Sequence, residues 1–301
     1  MVAYCPTPAV LTLTLGTTVL DLMDQANGFR VSEVDLGYPD VREDVDDRAD
    51  AQGVNDYTRL FGARAITISG SLVPSATGSR SRALHALAPF LNPGARPVLT
   101  YQIDPDTPAR MMTLRPAQWA APFNDRNVSA FQVGWKAPDP LAYDANLQRA
   151  SVWPAPVGGN GRTYNLVFNR VYGTGGGSTS AITPSVGDMT VYPTLRLYGP
   201  MSSISVIWRP TAPGIVWNTY GSFGFVSTFT INGGDRVDVD CRRRTAYLNG
   251  NPGQSVFSSI LVTGGNWPFI PAPGQTSWQI TATSTSPVSQ MAIEWQDAYL
   301  L

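Results

Sequence analysis

The chain has 301 residues, 43 % of them hydrophobic and only 14 % charged, with a net charge of −1. Its length suggests two domains. The balanced charge carries no basic footprint for nucleic acid, and no run reaches the roughly 18 consecutive apolar residues of a membrane-spanning helix. Two distant cysteines, Cys5 and Cys241, make no disulfide framework and read as small buried hydrophobes.

The N-terminus lacks a basic region ahead of a long apolar run, so no signal peptide is read there. Leu11, Leu13 and Leu15 alternate with Thr12 and Thr14, the period of a strand that buries one face. The segment 35–56 is rich in acid and has little apolar periodicity; it reads as a long exposed loop or a protruding hairpin. Ile66, Ile68 and Leu72 mark the next strand. One helix is expected over 79–88, because Leu84, Leu87 and Leu91 form one apolar stripe. Ser79 or Ser81 caps its start, and Pro89 with Asn92-Pro-Gly ends it. Strands follow at Val98 to Ile103 and around Phe131, Val133 and Trp135.

Composition shifts at Ala137-Pro-Asp-Pro. The prolines and glycines from there to Arg162 read as a linker, and Gly173-Thr-Gly-Gly-Gly-Ser-Thr-Ser reads as a flexible loop. Further strands are expected around Leu195, Ile204, Phe229 and Val237. Val237, Val239 and Cys241 face inward there, with Asp238 and Asp240 outward. The closing run from Met291 places Ile293 and Trp295 inside and Glu294 and Gln296 outside. No helical periodicity competes in this half, so a β-sandwich or jelly roll is the natural reading.

Little in the chain suggests chemistry. The single histidine, His85, lies beside the apolar stripe of the helix. Asp44 and Asp46 fit two positions of a calcium loop, but the glycine and glutamate that such a loop needs are absent. Asp238 and Asp240 are two apart on one strand face, as on the outer face of an ordinary antiparallel sheet. The glycine tracts lack the Lys-Ser/Thr of a phosphate loop. Arg242-Arg-Arg reads as a hairpin tip or exposed strand end. Trp208, Trp217, Tyr220, Trp267 and Trp278 are aromatics that suit stacking on sugar; Trp278 alternates with Ile280 as a core residue does, and Trp217 and Trp267, in turn-rich segments, are the better candidates.

Three stretches, in order, resemble the distal tail protein (Dit) family of long-tailed bacteriophages. The first is the acidic segment leading into Arg64-Ala-Ile-Thr-Ile-Ser-Gly-Ser-Leu, the helix, and Pro97-Val-Leu-Thr-Tyr-Gln-Ile-Asp. The second is Val128-Ser-Ala-Phe-Gln-Val-Gly-Trp-Lys-Ala-Pro-Asp-Pro. The third joins Pro193-Thr-Leu-Arg-Leu-Tyr-Gly-Pro, Gly234-Asp-Arg-Val-Asp-Val-Asp, Tyr247-Leu-Asn-Gly and the closing Glu294-Trp-Gln-Asp-Ala-Tyr-Leu.

The resemblance implies a mainly β chain of two domains. Residues 1–145 would form a β-sandwich with one helix and a long hairpin; 146–163 would be a linker, and 164–301 a galectin-like β-sandwich. It implies a non-enzymatic virion component without cofactors, assembled in the host cytoplasm. This component would be a homohexameric ring at the tail tip, between the tail tube protein and the tail hub. A receptor-binding protein or a host glycan is a further expected partner. The candidate ring contacts are Asp40, Arg42, Glu43, Asp44, Asp46, Asp47, Asp50 and Asp56. The alternative is a carbohydrate-binding module acting through the C-terminal sandwich. No catalytic or metal residues are assigned.

Overall fold

The computed structural model describes residues 8–24, 26, 28–42, 45–47, 54–56, 60–73, 80–120, 129–154, 180–213, 221–263, 267–284, 286 and 288–300. The chain divides into two compact units, one of Met1–Asn146 with Tyr299–Leu301 and the other of Leu147–Ala298. The chain is mainly β, as its alternating runs imply.

In chain order the first unit contains β1 (Val10–Leu15), β2 (Thr18–Asp21), β3 (Phe29–Asp35), β4 (Val41–Arg42), β5 (Val45–Asp47), β6 (Val54–Asp56), β7 (Leu60–Phe61) and β8 (Arg64–Leu72). Helix α1 (Arg80–Leu87) follows, then β9 (Val98–Gln102), β10 (Arg110–Thr113), β11 (Arg115–Ala120), β12 (Ser129–Ala137) and β13 (Ala142–Asp144). One sheet has the order β2-β1-β9-β10-β13, and a four-stranded sheet has the order β11-β12-β8-β3. Alternation drives both. Leu11 and Leu13 on β1, Ile66 and Ile68 on β8, and Val133 and Trp135 on β12 are buried in one core. Helix α1 buries Ala83 and Leu87 against that core. The α-helix stops at Leu87, and the 3₁₀ turn Ala88–Leu91 that follows carries Pro89 near its start and buries Phe90. Ser79, one of the two expected caps, lies outside the described residues.

The second unit contains β14 (Gln148–Val152), β15 (Ser180–Ser185), β16 (Thr194–Tyr198), β17 (Met201–Thr211), β18 (Gly221–Phe225), β19 (Thr230–Ile231) and β20 (Arg236–Asp240). It continues with β21 (Thr245–Leu248), β22 (Ile260–Thr263), β23 (Gly274–Ser284) and β24 (Gln290–Trp295). One sheet runs β14-β24-β16-β20-β21; the other runs β15-β23-β17-β18-β22, with β19 paired to β17. Val237, Val239, Ile293, Trp208 and Trp278 are buried. The Trp278 indole N–H keeps a partner inside, donating to Thr183 Oγ1 at 2.7 Å. Gly221 lies so close to the Trp208 ring that a Cβ there would sit 2.0 Å from it.

Two boundaries differ from the sequence expectation. Residues 148–152, inside the expected linker, form the edge strand β14, paired with β24 from Gln148↔Trp295 to Val152↔Met291. The surrounding prolines and glycines dominate the sequence there, and only Val152 of the strand is buried. The closing run is also not one strand. It breaks after Trp295, and β25 (Ala298–Tyr299) joins the first unit's sheet beside β13. There the fully buried Arg64 donates to the Leu300 carbonyl and contacts Met112 Sδ at 3.7 Å, and the Arg110 guanidinium lies 4.1 Å above the Tyr299 ring.

Trp295 is buried, and its indole N–H donates to the Pro184 carbonyl at 3.1 Å. Trp295→Ala is expected to cost about 3–5 kcal/mol, the range for a large buried aromatic. Urea unfolding followed through the second unit measures this, and a loss below about 1 kcal/mol would contradict the packing described.

Candidate functional site

The acidic segment forms paired strands. Gly37, with φ of +60°, redirects the chain after β3; a Cβ there would lie 2.1 Å from the Ala65 carbonyl oxygen, so a side chain does not fit. Asp35 Oδ1 accepts from the Gly37 N–H at 2.8 Å. The Gly62 N–H donates to the Asp40 carbonyl, and β4 pairs with β7 through Val41↔Phe61 and Arg42↔Leu60. A second ladder pairs β5 with β6 through Val45↔Asp56, Asp46↔Asn55 and Asp47↔Val54. Of the two readings, loop or hairpin, the strand register identifies a hairpin between β3 and β8.

Its base is unusual for a solvated element. Tyr38 is 55 % exposed, Val41 42 % and Leu60 54 %. The Tyr38 ring meets Phe61 edge-to-face at 6.4 Å, and Val41, the Cα partner of Phe61, shares that face, while Leu60, opposite Arg42, lies on the other. Clustered exposed apolar side chains rimmed by charge mark a surface that meets a partner. Beyond the base, the segment 40–56 carries seven carboxylates and two arginines. Asp40 and Arg42 are exposed; Asp46, Asp47 and Asp56 lie on the β5–β6 ladder; Glu43, Asp44 and Asp50 lie outside the described residues. The sequence identifies the acidity of this element, while its apolar base emerges only once Tyr38 and Phe61 are brought together.

In the second unit, a charged ladder crosses the outer face of the five-stranded sheet. Arg149 on β14 pairs with Glu294 on β24, and Arg196 on β16 reaches Glu294 at 3.0 Å. Arg196 also lies 3.7 Å from Asp238 on β20, which pairs with Arg236 at 3.1 Å. The Glu294 side chain is only 4 % exposed. The expectation that it points into solvent is therefore corrected: it lies on the outer side by register, but the two arginines shield it from water. Buried carboxylates persist when paired and hydrogen-bonded in this way.

The residues considered for chemistry are placed elsewhere. His85 is exposed on α1. Asp238 is held in the ladder, and Asp240 Oδ1 accepts from the Arg242 and Arg243 N–H groups at 3.0 and 2.9 Å, closing the turn of the arginine run. Trp267 is half-buried and stacks on the exposed Phe257, with ring centroids 5.9 Å apart and planes 9° from parallel. Trp217 and the glycine tract at 173–177 lie outside the described residues. Burial, and then the neighbouring Asp240 carboxylate, push the Cys241 thiol well above its ordinary range. Among the described residues no group of three or more His, Cys, Asp or Glu side chains is arranged to hold a metal ion. Among the same residues no helix is long and apolar enough to cross a membrane.

With this architecture in place, the fold is that of the phage distal tail proteins. The crystal structure of SPP1 Dit (gp 19.1), described as a paradigm of the hub adsorption apparatus in phages infecting Gram-positive bacteria, matches with a TM-score of 0.61. The match covers 96 % of this chain and 99 % of that one at 15 % identity. A chain of the phage p2 baseplate in its activated conformation with Sr matches at a TM-score of 0.48 and 11 % identity, over 95 % of this chain and 97 % of that one. No protein-family model and no curated protein matches this sequence.

Two outcomes follow from this geometry. Replacing residues 45–56 by Asn-Gly should leave the first unit folded, with stability changed by no more than about 0.5 kcal/mol. Near-UV circular dichroism and urea unfolding check this; loss of the tertiary signal would place the β5–β6 ladder in the core. In a Cys5→Ser background, Cys241 should stay unreactive toward a thiol reagent at pH 8 until the protein is denatured. A native reaction as fast as the denatured one would contradict its burial.

Proposed function

We propose that this chain is a structural component of a phage tail tip. Six copies form a ring through their first units, joining the tail tube protein to the tail hub and to the host-recognition apparatus. The observation that carries the reading is the match to SPP1 Dit along nearly the whole of both chains, so that neither unit is left outside the comparison. The hairpin supports it, since an acidic element with an exposed apolar base suits contact between copies better than solvent. Rings arise when a head-to-tail contact closes by rotation, and every copy then uses the same two surfaces. Such a role needs no cofactor or catalysis. Virions are its place of work, after assembly in the host cytoplasm.

A second reading has its own observation. The Phe257–Trp267 stack presents aromatic surface on the second unit, where a host glycan or a receptor-binding protein could rest. Binding on a glycan array that disappears in Phe257→Ala and Trp267→Ala would support it.

Mass photometry and negative-stain microscopy of the purified chain test the leading reading. Six-fold rings are expected, and antibody against the chain should label the tail tip of virions. Monomer alone at high concentration, together with unlabelled tails, would sink it.

A further inference from the structure

The turn between β20 and β21 concentrates positive charge on the second unit. Arg242, Arg243 and Arg244 follow one another there, and all three are exposed. Elsewhere on this sheet the charges settle among themselves, since Glu294 and Asp238 each sit between two arginines. At the turn the acid runs short. After Asp240 the next acidic residue in the chain is Glu294, already held by Arg149 and Arg196. Asp240 pairs with Arg243 only at 3.8 Å, and that side chain is still 82 % exposed. Arg244 has no partner among the described residues.

The turn is nevertheless held in shape. Asp240 Oδ1 accepts from the Arg242 and Arg243 N–H groups at 3.0 and 2.9 Å, and the Cys241 N–H donates to the Pro193 carbonyl at 3.2 Å. Arg244 has a φ of +56°, in the left-handed region that glycine or asparagine fills at less cost. A long cation at that position, beside two others, is strained locally and repelled by its neighbours. Residues kept in such a conformation point to a contact that uses them.

The chemistry of the turn selects among partners. From residue 236 to 256 no large hydrophobic side chain is exposed, so the turn offers a folded protein charge but little apolar area to bury. The net charge of −1 leaves no wide basic surface of the kind that nucleic acid requires. Guanidinium forks match phosphate oxygens, and a flexible polyanion gains from the counterions it releases without needing an apolar footprint.

We propose that the β20–β21 turn is an anion-binding tip whose ligand is a flexible polymer of alcohol phosphates, such as a cell surface carries. Arg242, Arg243 and Arg244 hold its phosphodiester oxygens. The anion site stands on the turn alone; the choice of a surface polymer rests on the tail-tip reading.

Anisotropy of fluorescent poly(glycerol phosphate) with the full chain tests this. Binding is expected in about 50 mM salt and should be lost in about 500 mM. Arg242→Gln/Arg243→Gln/Arg244→Gln should weaken it roughly tenfold or more. Arg244→Asn should weaken it roughly threefold while the melting temperature holds or rises, because asparagine accepts the left-handed backbone. Arg209→Gln, which removes one exposed cation from the other sheet of the unit, should leave binding unchanged. Absence of binding, or a loss in Arg209→Gln as large as in Arg244→Asn, would overturn the site. Tighter binding of oligothymidylate or poly-glutamate at equal charge would overturn the choice of polymer and hand the tip to nucleic acid or to an acidic protein. Rings that bind no polymer would remove this inference and leave the ring reading standing; a monomer that binds would do the reverse.

Discussion

A strand presents its side chains alternately to two sides, and in both units one side of nearly every strand is dry. Trp135 and Ile66 in the first unit, and Trp208 and Trp278 in the second, are almost wholly removed from water. Burying one such aromatic rather than exposing it is worth about 1.5–3 kcal/mol, and only the summed apolar burial offsets the ordering of long chains of strand and turn. Once the inner faces are committed, every other feature is decided by what the outer faces and the connections carry. At the foot of the hairpin between β3 and β8, Tyr38, Val41 and Leu60 stay exposed, outside the core, and so are available for contacts.

The alternation is a local signal, and it was legible wherever a strand had a dry side and a wet side. Val237, Val239 and Cys241 against Asp238 and Asp240 read correctly because both faces behave as the period requires. Glu294 did not. Its shielding comes from Arg149, 145 residues away along the chain, and from Arg196, and nothing within a few residues of Glu294 announces them. Strand β14 was obscured differently. Its five residues show no clear alternation of their own, and they stand in a window whose prolines and glycines dominate any reading by composition. The acidic segment was legible as a projection, but its apolar base was not, since Phe61 reaches Tyr38 and Val41 only when β4 pairs with β7.

The two units treat charge in opposite ways. On the second, the ladder from Arg149 through Glu294, Arg196 and Asp238 to Arg236 alternates in sign across four strands, so each carboxylate sits between two arginines. It stitches a sheet and asks nothing of a partner. On the first, Arg115 and Lys136 stand opposite one another on β11 and β12, while Glu33 and Asp35 of the same sheet stand on β3, at its other edge. Charges held apart in this way are a small standing cost to the protomer, of the kind that functional surfaces retain.

The return of Tyr299 and Leu300 to the first unit has a consequence for the order of events on the ribosome. Domains generally fold as they emerge, the N-terminal one first. Here the sheet β2-β1-β9-β10-β13 lacks β25, and the buried Arg64 lacks its Leu300 carbonyl, until all of Leu147–Ala298 has been translated. At about 5–20 residues per second, that intervening unit delays completion by roughly 8–30 s. A first unit whose chain has not yet passed Ala298 therefore lacks one strand of its sheet and the acceptor of its buried guanidinium.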